Sequence, residues 1–116
     1  MSTEGSREIL QAAYRDFNSR RLDAVVARMA PEVVWPNGME GGYVYGHAGL
    51  REYWTRQWAV IDPHVEPVSI EEEGNGRWVV QVHQVVRDLA GIVLVDVMVR
   101  HVYQLSNGLI ERMEIE

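Results

Sequence analysis

The chain has 116 residues, 47% of them hydrophobic and 24% charged, with a formal net charge of −6. That length supports one domain spanning residues 1–116, and the acidic balance argues against a phosphate-binding surface and so against nucleic acid as a partner. There is no cysteine, and all eleven basic residues are arginine, which removes disulfides, thiolate metal sites, thiol nucleophiles and lysine Schiff bases together.

The opening MSTEGSREIL carries no long apolar run, so neither a signal peptide nor a membrane span is expected and the expected location is the cytoplasm. Residues 6–18 place Ile9, Leu10, Ala13, Tyr14 and Phe17 at helical spacing, with Ser6 as the N-cap. A second short helix is expected from Leu22 to Met29, ended by Ala30-Pro31. Val33-Val34-Trp35 reads as a strand, and the glycine-rich stretch 36–46, PNGMEGGYVYG, as a loop over a pocket. A third helix begins near His47 or Ala48 and carries Leu50, Tyr53, Trp54, Gln57, Trp58 and Ile61 on one face, until Asp62-Pro63 stops it. Strands follow at Val65–Glu73, Arg77–Arg87, Ile92–Leu105 and Leu109–Ile115. The order predicts an α+β domain, with helices on one face of a curved antiparallel sheet.

The strand Ile92–Leu105 has one strongly apolar face: Val93, Val95, Val97, Val99, His101, Tyr103 and Leu105. That face should point inward and take His101 with it. In DLAGI, Asp88 suits the first position of a type I turn and Gly91 the fourth, giving a three-residue loop with Asp88 opposite Ile92. Counting back, His83 lies across from Val97, Gln81 from Val99 and Val79 from His101, so both histidines share the inner face. A two-residue Ala90-Gly91 turn would instead flip His83 outward. At the last hairpin, a three-residue loop ending at Gly108 sets Met113 beside His101, and a two-residue Asn107-Gly108 turn sets Glu114 there.

The element order, together with NSRRLDAVVARMAPEVVW, GHAGLREYW and VYQLSNGLIERM, resembles the nuclear transport factor 2-like superfamily and in particular its SnoaL-like branch. The resemblance covers nearly the whole chain. It implies a cone: a bent sheet wrapped around three N-terminal helices, with a pocket at the wide end and, in many members, a dimer. It also implies a comparison with the polyketide cyclases of the superfamily. His101, seven residues before Gly108, falls where they carry a catalytic aspartate, and His83 resembles their pocket histidine. The general-base aspartate of ketosteroid isomerase would fall near Pro36 or Asn37, and its oxyanion tyrosine near Ala13, one step from Tyr14. The Arg-x-Asp element of the fold's epoxide hydrolases is not matched by Arg87-Asp88.

Two functions remain in view. One is a pocket for a small hydrophobic carbonyl compound, with acid–base activity of the isomerase or cyclase kind. In it His101 is the acid or base, His83 and Asn37 orient a carbonyl or hydroxyl, Gln81 is a further polar pocket residue, and Trp35, Trp54, Trp58, Tyr103 and Met113 form the walls. The other is a non-catalytic domain that homodimerises through the outer sheet face, expected to carry Trp78, Val80, Val82, Met98 and Val102. His101 as a hydrogen-bonded core histidine fits either. The four histidines show no metal-ligand spacing and no GK[ST] follows the glycines, so neither a metal nor another cofactor is expected.

Overall fold

The computed structural model describes residues 3–116, with side chains from Gly5 onward; Met1 and Ser2, which open the stretch read for a targeting signal, lie outside the described residues. Three helices and six strands alternate as α1 (Thr3–Asn18), α2 (Leu22–Ala27), β1 (Met29–Pro36), β2 (Tyr43–Tyr45), α3 (Gly46–Trp58), β3 (Ile61–Gly74), β4 (Arg77–Asp88), β5 (Val93–Ser106) and β6 (Leu109–Ile115). The strands form one curved, unclosed sheet in the order β2-β1-β6-β5-β4-β3. All neighbours are antiparallel except β1 and β6, which run parallel. No helix of the described residues is long and apolar enough to cross a membrane.

Several boundaries differ from those read along the chain. Ser6 lies inside α1 rather than capping it, and α2 ends at Ala27 so that Met29 opens β1. Pro31 is tolerated in β1 because the β1–β6 ladder is interrupted between Met29 and Val34, and β2 pairs only with residues 34–36; its missing N–H falls where no ladder bond is made. The stretch 36–46 is a hairpin, not a free loop. Asn37 N–H donates to the Gly42 carbonyl (2.9 Å), Gly41 N–H donates to the Asn37 carbonyl (2.8 Å), and Gly41 and Gly42 take the left-handed φ values of +85° and +74° that the turn needs. Helix α3 stops at Trp58, and β3 already begins at Ile61, running through Pro63 and Pro67. Prolines fit here because β3 is an edge strand, and Pro67 sits at a break in register with β4.

Helix α1 is fastened across the concave side of the sheet. Its last residue, Asn18, behaves like a strand partner for the β3 edge, donating to the Val65 carbonyl at 2.8 Å and accepting from Val65 N–H at 3.0 Å. Arg20 reaches both Asp62 and the Pro63 carbonyl, and buried Asp16 accepts from Arg28 Nε at 3.1 Å, tying α1 to the end of α2. Between helices and sheet lies an apolar core that includes Leu10, Val26, Val33, Leu50, Trp54 and Ile110.

The β4–β5 turn forms as its residues demand. Gly91 N–H donates to the Asp88 carbonyl, Asp88 N–H to the Ile92 carbonyl, and the Asp88 carboxylate accepts from Ala90 and Ile92 N–H, with Gly91 at φ +94°. One residue later the ladder slips. Val93 faces Arg87 but Val95 faces Val86, leaving Leu94 as an extra residue, a bulge that shifts everything beyond it by one. His101 therefore pairs with Val80, not Val79, and His83 with Met98, not Val97. The inner faces are Trp78, Val80, Val82, Gln84 and Val86 on β4 against Val95 through Leu105 at odd positions on β5. Trp78, Val80 and Val82, expected on the outer face, are core residues. The expected inner positions Val93, Val95 and Val97 are exposed, because the distal end of this hairpin, Leu89 to Met98, extends beyond the helices.

The last hairpin shows a second slip. Ser106 faces Leu109 around a two-residue Asn107-Gly108 turn, but the register breaks between Gln104 and Leu105, so Arg112 faces Gln104, Met113 faces Tyr103 and Glu114 faces Val102. His101 thus stands opposite Ile115. Neither Met113 nor Glu114 takes the place beside it, because the bulge at Glu111 was not visible in the turn residues.

Candidate ligand-binding site

A cavity of about 110 Å³ opens between α1, α3 and the concave sheet, where one water needs roughly 10–15 Å³. Its floor is Tyr103 and Met113 from neighbouring strands, and its walls include Phe17, Trp35 and Trp54. The aromatic walls support one another: Trp54 meets Trp35 edge-on at 5.3 Å and Phe17 at 5.4 Å, and Trp35 lies 6.2 Å from Tyr103. Such packing holds the rings in place.

At the bottom stands a hydrogen-bonded trio. Tyr14 from α1 sits at helical spacing with Leu10 and Phe17 and so points at the sheet, where β5 presents His101 and Tyr103 on its inner face. The Tyr14 hydroxyl lies 2.8 Å from His101 Nδ1, and the Tyr103 hydroxyl donates to Tyr14 at 2.7 Å. The Tyr14 and His101 rings are stacked, 13° from parallel. His101 Nε2 has no hydrogen-bond partner among the described residues, and His101 and Tyr103 both line the cavity.

Burial sets the charge state of this trio. Desolvation pushes the His101 imidazole down to about 4, so the ring is neutral near pH 7. It raises the Tyr14 and Tyr103 phenols above their ordinary value, with Tyr103 adding to the rise at Tyr14 and the Tyr14 hydrogen bond partly opposing it at Tyr103. All three groups are therefore uncharged donors and acceptors.

A second polar point lies at α3. Tyr53 oxygen accepts from Gly38 N–H at 2.9 Å and from Gln57 Nε2 at 3.2 Å, and its own proton has no acceptor among the described residues. Burial raises this phenol too. Tyr53, Gln57 and Gly38 all line the cavity, as does Gln84 from β4.

The family model for the SnoaL-like domain matches residues 10–113. The chain belongs to the SnoaL-like family. Within the wider nuclear transport factor 2-like superfamily, it is similar to TerC, crystallised with polyporic acid, at 28% identity over 97% of this chain and 90% of that one, with a TM-score of 0.84. An NTF2-like protein from Burkholderia pseudomallei shares 27% identity over 100% of this chain and 91% of its own, also with a TM-score of 0.84. A cystatin-fold protein from Novosphingobium aromaticivorans shares the fold, at 20% identity, coverage of 100% and 98%, and a TM-score of 0.82. No curated protein sequence matches the chain.

This SnoaL-like cavity gathers His101, Trp35, Trp54, Tyr103 and Met113 from the residues singled out along the sequence. Four others lie elsewhere. His83 is on the outer face after the bulge, 2.7 Å from Asp96 in an exposed pair, and Gln81 pairs with Arg100 on that same face. Asn37 holds the β1–β2 turn, its Oδ1 accepting from Met39 and Glu40 N–H. Trp58 stacks behind Trp54 at 6.0 Å and under Arg20, without lining the cavity. Sequence reasoning misses Tyr14, Tyr53, Gln57 and Gln84, which also line the cavity. The first three lie on helix faces whose spacing signals core, and Gln84 was hidden by the one-residue slip. The one available signal was their polar tips amid apolar stripes.

Proposed function

We propose that this chain binds a small, uncharged, hydrophobic molecule bearing a carbonyl or hydroxyl group. The observation that carries this reading is the chemistry of the lining: among the described residues no aspartate, glutamate or arginine lines the cavity, and its polar side-chain groups are phenols, primary amides, indole N–H groups and one neutral imidazole. An ionic ligand would give up its hydration there without a counter-charge, whereas a carbonyl needs only the hydrogen bonds that Tyr103, Tyr53 or His101 can supply. The ligand of TerC, a relative at 28% identity, supports an organic molecule as occupant. Isomerase- or cyclase-type proton transfer, with His101 as the acid–base group, belongs to this reading. His83 has no part in it.

Trp35 and Trp54 in the walls report occupancy directly. Titration with 2-tetralone, a neutral bicyclic ketone, is expected to quench tryptophan fluorescence, with 2-naphthoate, a carboxylate of similar size, binding weaker by about tenfold or more, that is about 1.4 kcal/mol. Equal affinity for the two would overturn the reading.

A second, compatible reading concerns the outer face of the β4–β5 hairpin. Leu94 and Met98 are 55% and 57% exposed, in the stretch that projects beyond the helices. Apolar strand surface of this kind is a candidate for burial between two copies. Light scattering is expected to give a dimer at micromolar concentration and a shift toward monomer in Met98→Glu; a wild-type monomer at that concentration would dispose of the idea.

A further inference from the structure

Away from the trio, Tyr53 on α3 is the third phenol of the cavity lining, and the residue is only 3% exposed. Its oxygen accepts from Gly38 N–H at 2.9 Å and from Gln57 Nε2 at 3.2 Å, which fills the acceptor capacity of a phenol and leaves its proton as a donor. Burial raises this phenol above its ordinary value, so the proton stays on the oxygen. No acceptor for that proton stands among the described residues. With so little of Tyr53 open to solvent, its partner has to come from the contents of the cavity.

Gln57, which lines the same cavity, completes a pair. With Nε2 on Tyr53, the amide keeps Oε1 as an acceptor beside the phenol donor. A half-turn of the amide exchanges the roles: Tyr53 then donates to Oε1, Nε2 becomes the free donor, and the phenol oxygen regains a lone pair. Both arrangements leave one donor and one acceptor side by side. A carbonyl answers only the donor. A hydroxyl answers both, because its oxygen accepts while its proton is donated.

The pair is also held in place from outside. Arg56 lies 5.9 Å over the Tyr53 ring and binds Glu40 at 2.7 Å, and Glu40 accepts from Asn37 Nδ2 at 3.2 Å. The β1–β2 turn is thereby tied to α3 at two points, Gly38 on Tyr53 and Glu40 on Arg56. A donor fixed before binding loses little freedom when it meets its partner. The trio joins α1 to β5, whereas this pair joins α3 to the β1–β2 turn, and no hydrogen bond among the described residues connects the two.

We propose that Tyr53 and Gln57 form a subsite that reads a hydroxyl group on the ligand, separate from the oxygen function bound at the trio. The proposal rests on the ligand-binding reading above and narrows its ligand to a hydrophobic molecule with two oxygen functions, the one at α3 being a hydroxyl. The choice of hydroxyl follows from the paired donor and acceptor, which a carbonyl or an ether satisfies only by half.

Calorimetric titration with 2-tetralone, and with each of its derivatives carrying one aromatic hydroxyl, tests this. At least one hydroxyl position is expected to bind about tenfold tighter than the parent. The methoxy compound of that position accepts but cannot donate, and should bind no tighter than the parent. In Tyr53→Phe and in Gln57→Leu the ratio of hydroxyl to parent affinity should fall to within about twofold of unity. Taking the ratio within each variant cancels any change of the cavity that affects both ligands alike. Gln57→Leu keeps the phenol and its bond to Gly38, and so carries the test if Tyr53→Phe fails to fold. Binding of 2-tetralone with no hydroxyl derivative more than about twofold tighter overturns the subsite and leaves the binding reading standing. So does a methoxy compound that matches its hydroxyl counterpart, or a preference that survives both variants. A preference lost only in Gln84→Leu overturns it as well, since β4 would then read the group. Failure of every compound to bind overturns the binding reading first and the subsite with it.

Discussion

Trp54→Ala is expected to destabilise the protein by about 3–5 kcal/mol, the range for deleting a fully buried aromatic side chain. Trp54 is 1% exposed and stands at the centre of an aromatic cluster, in contact with Phe17, Trp35 and Trp58 at 5.3 to 6.0 Å. Its removal costs the transfer energy of the indole and leaves a void that joins the existing cavity. The neighbouring rings cannot all move in, because Phe17 and Trp58 belong to separate helices. Urea unfolding should show the loss as a lower midpoint at unchanged slope, and heating as a fall of roughly 10–20 °C. A loss below about 1 kcal/mol would mean that the cluster repacks and that the walls of the site are not rigid.

Stability is also expected to fall as pH drops from about 6.5 to about 4, by a total of about 3 kcal/mol from His101 alone. Burial holds the folded imidazole down at about 4, whereas in the unfolded chain it titrates near 6.5. Between those values the unfolded chain takes up a proton that the folded chain refuses, so acid favours unfolding; above about 6.5 the contribution is constant. Carboxylates add their own slope below pH 5, and comparison with His101→Gln isolates the histidine. The variant should lack the early decline between pH 6.5 and 5. The Tyr14 and Tyr103 phenols act at the other end. Their folded values are raised by burial, so their contribution is complete below about pH 10 and is lost as pH rises beyond it. A histidine resonance titrating near 6.5 in the folded protein and assigned to position 101 would contradict this account.

The helices were legible because their apolar residues recur at helical spacing over long runs, as in Leu10, Ala13, Tyr14 and Phe17 of α1 and Leu50, Tyr53 and Trp54 of α3. The inward face of β5 was legible from alternation near its end, where His101, Tyr103 and Leu105 are buried. The short strand β2 was not, since three residues between glycines gain their partner only from Val34–Pro36. Strand pairing was where local reasoning stopped. The residues of DLAGI specify their turn and the turn forms, yet the extra residue at Leu94 two places later reverses every assignment on β4. A bulge is chosen by how two strands bend together around the helices, and no residue at Leu94 announces it.

By itself, then, the sequence determined the helices and the long strands, the membership in a SnoaL-like fold, the absence of thiol and lysine-amine chemistry, and the burial of His101. These follow from periodicity and from which side chains exist at all. Only the tertiary structure decided which polar groups meet. It joined Tyr14 to His101 and Tyr103 across 87 and 89 positions of chain, and it sent His83 to the opposite face. The physical reason is that a hydrogen bond between distant residues depends on strand register to within one residue, and register is a property of the packed sheet rather than of any local stretch.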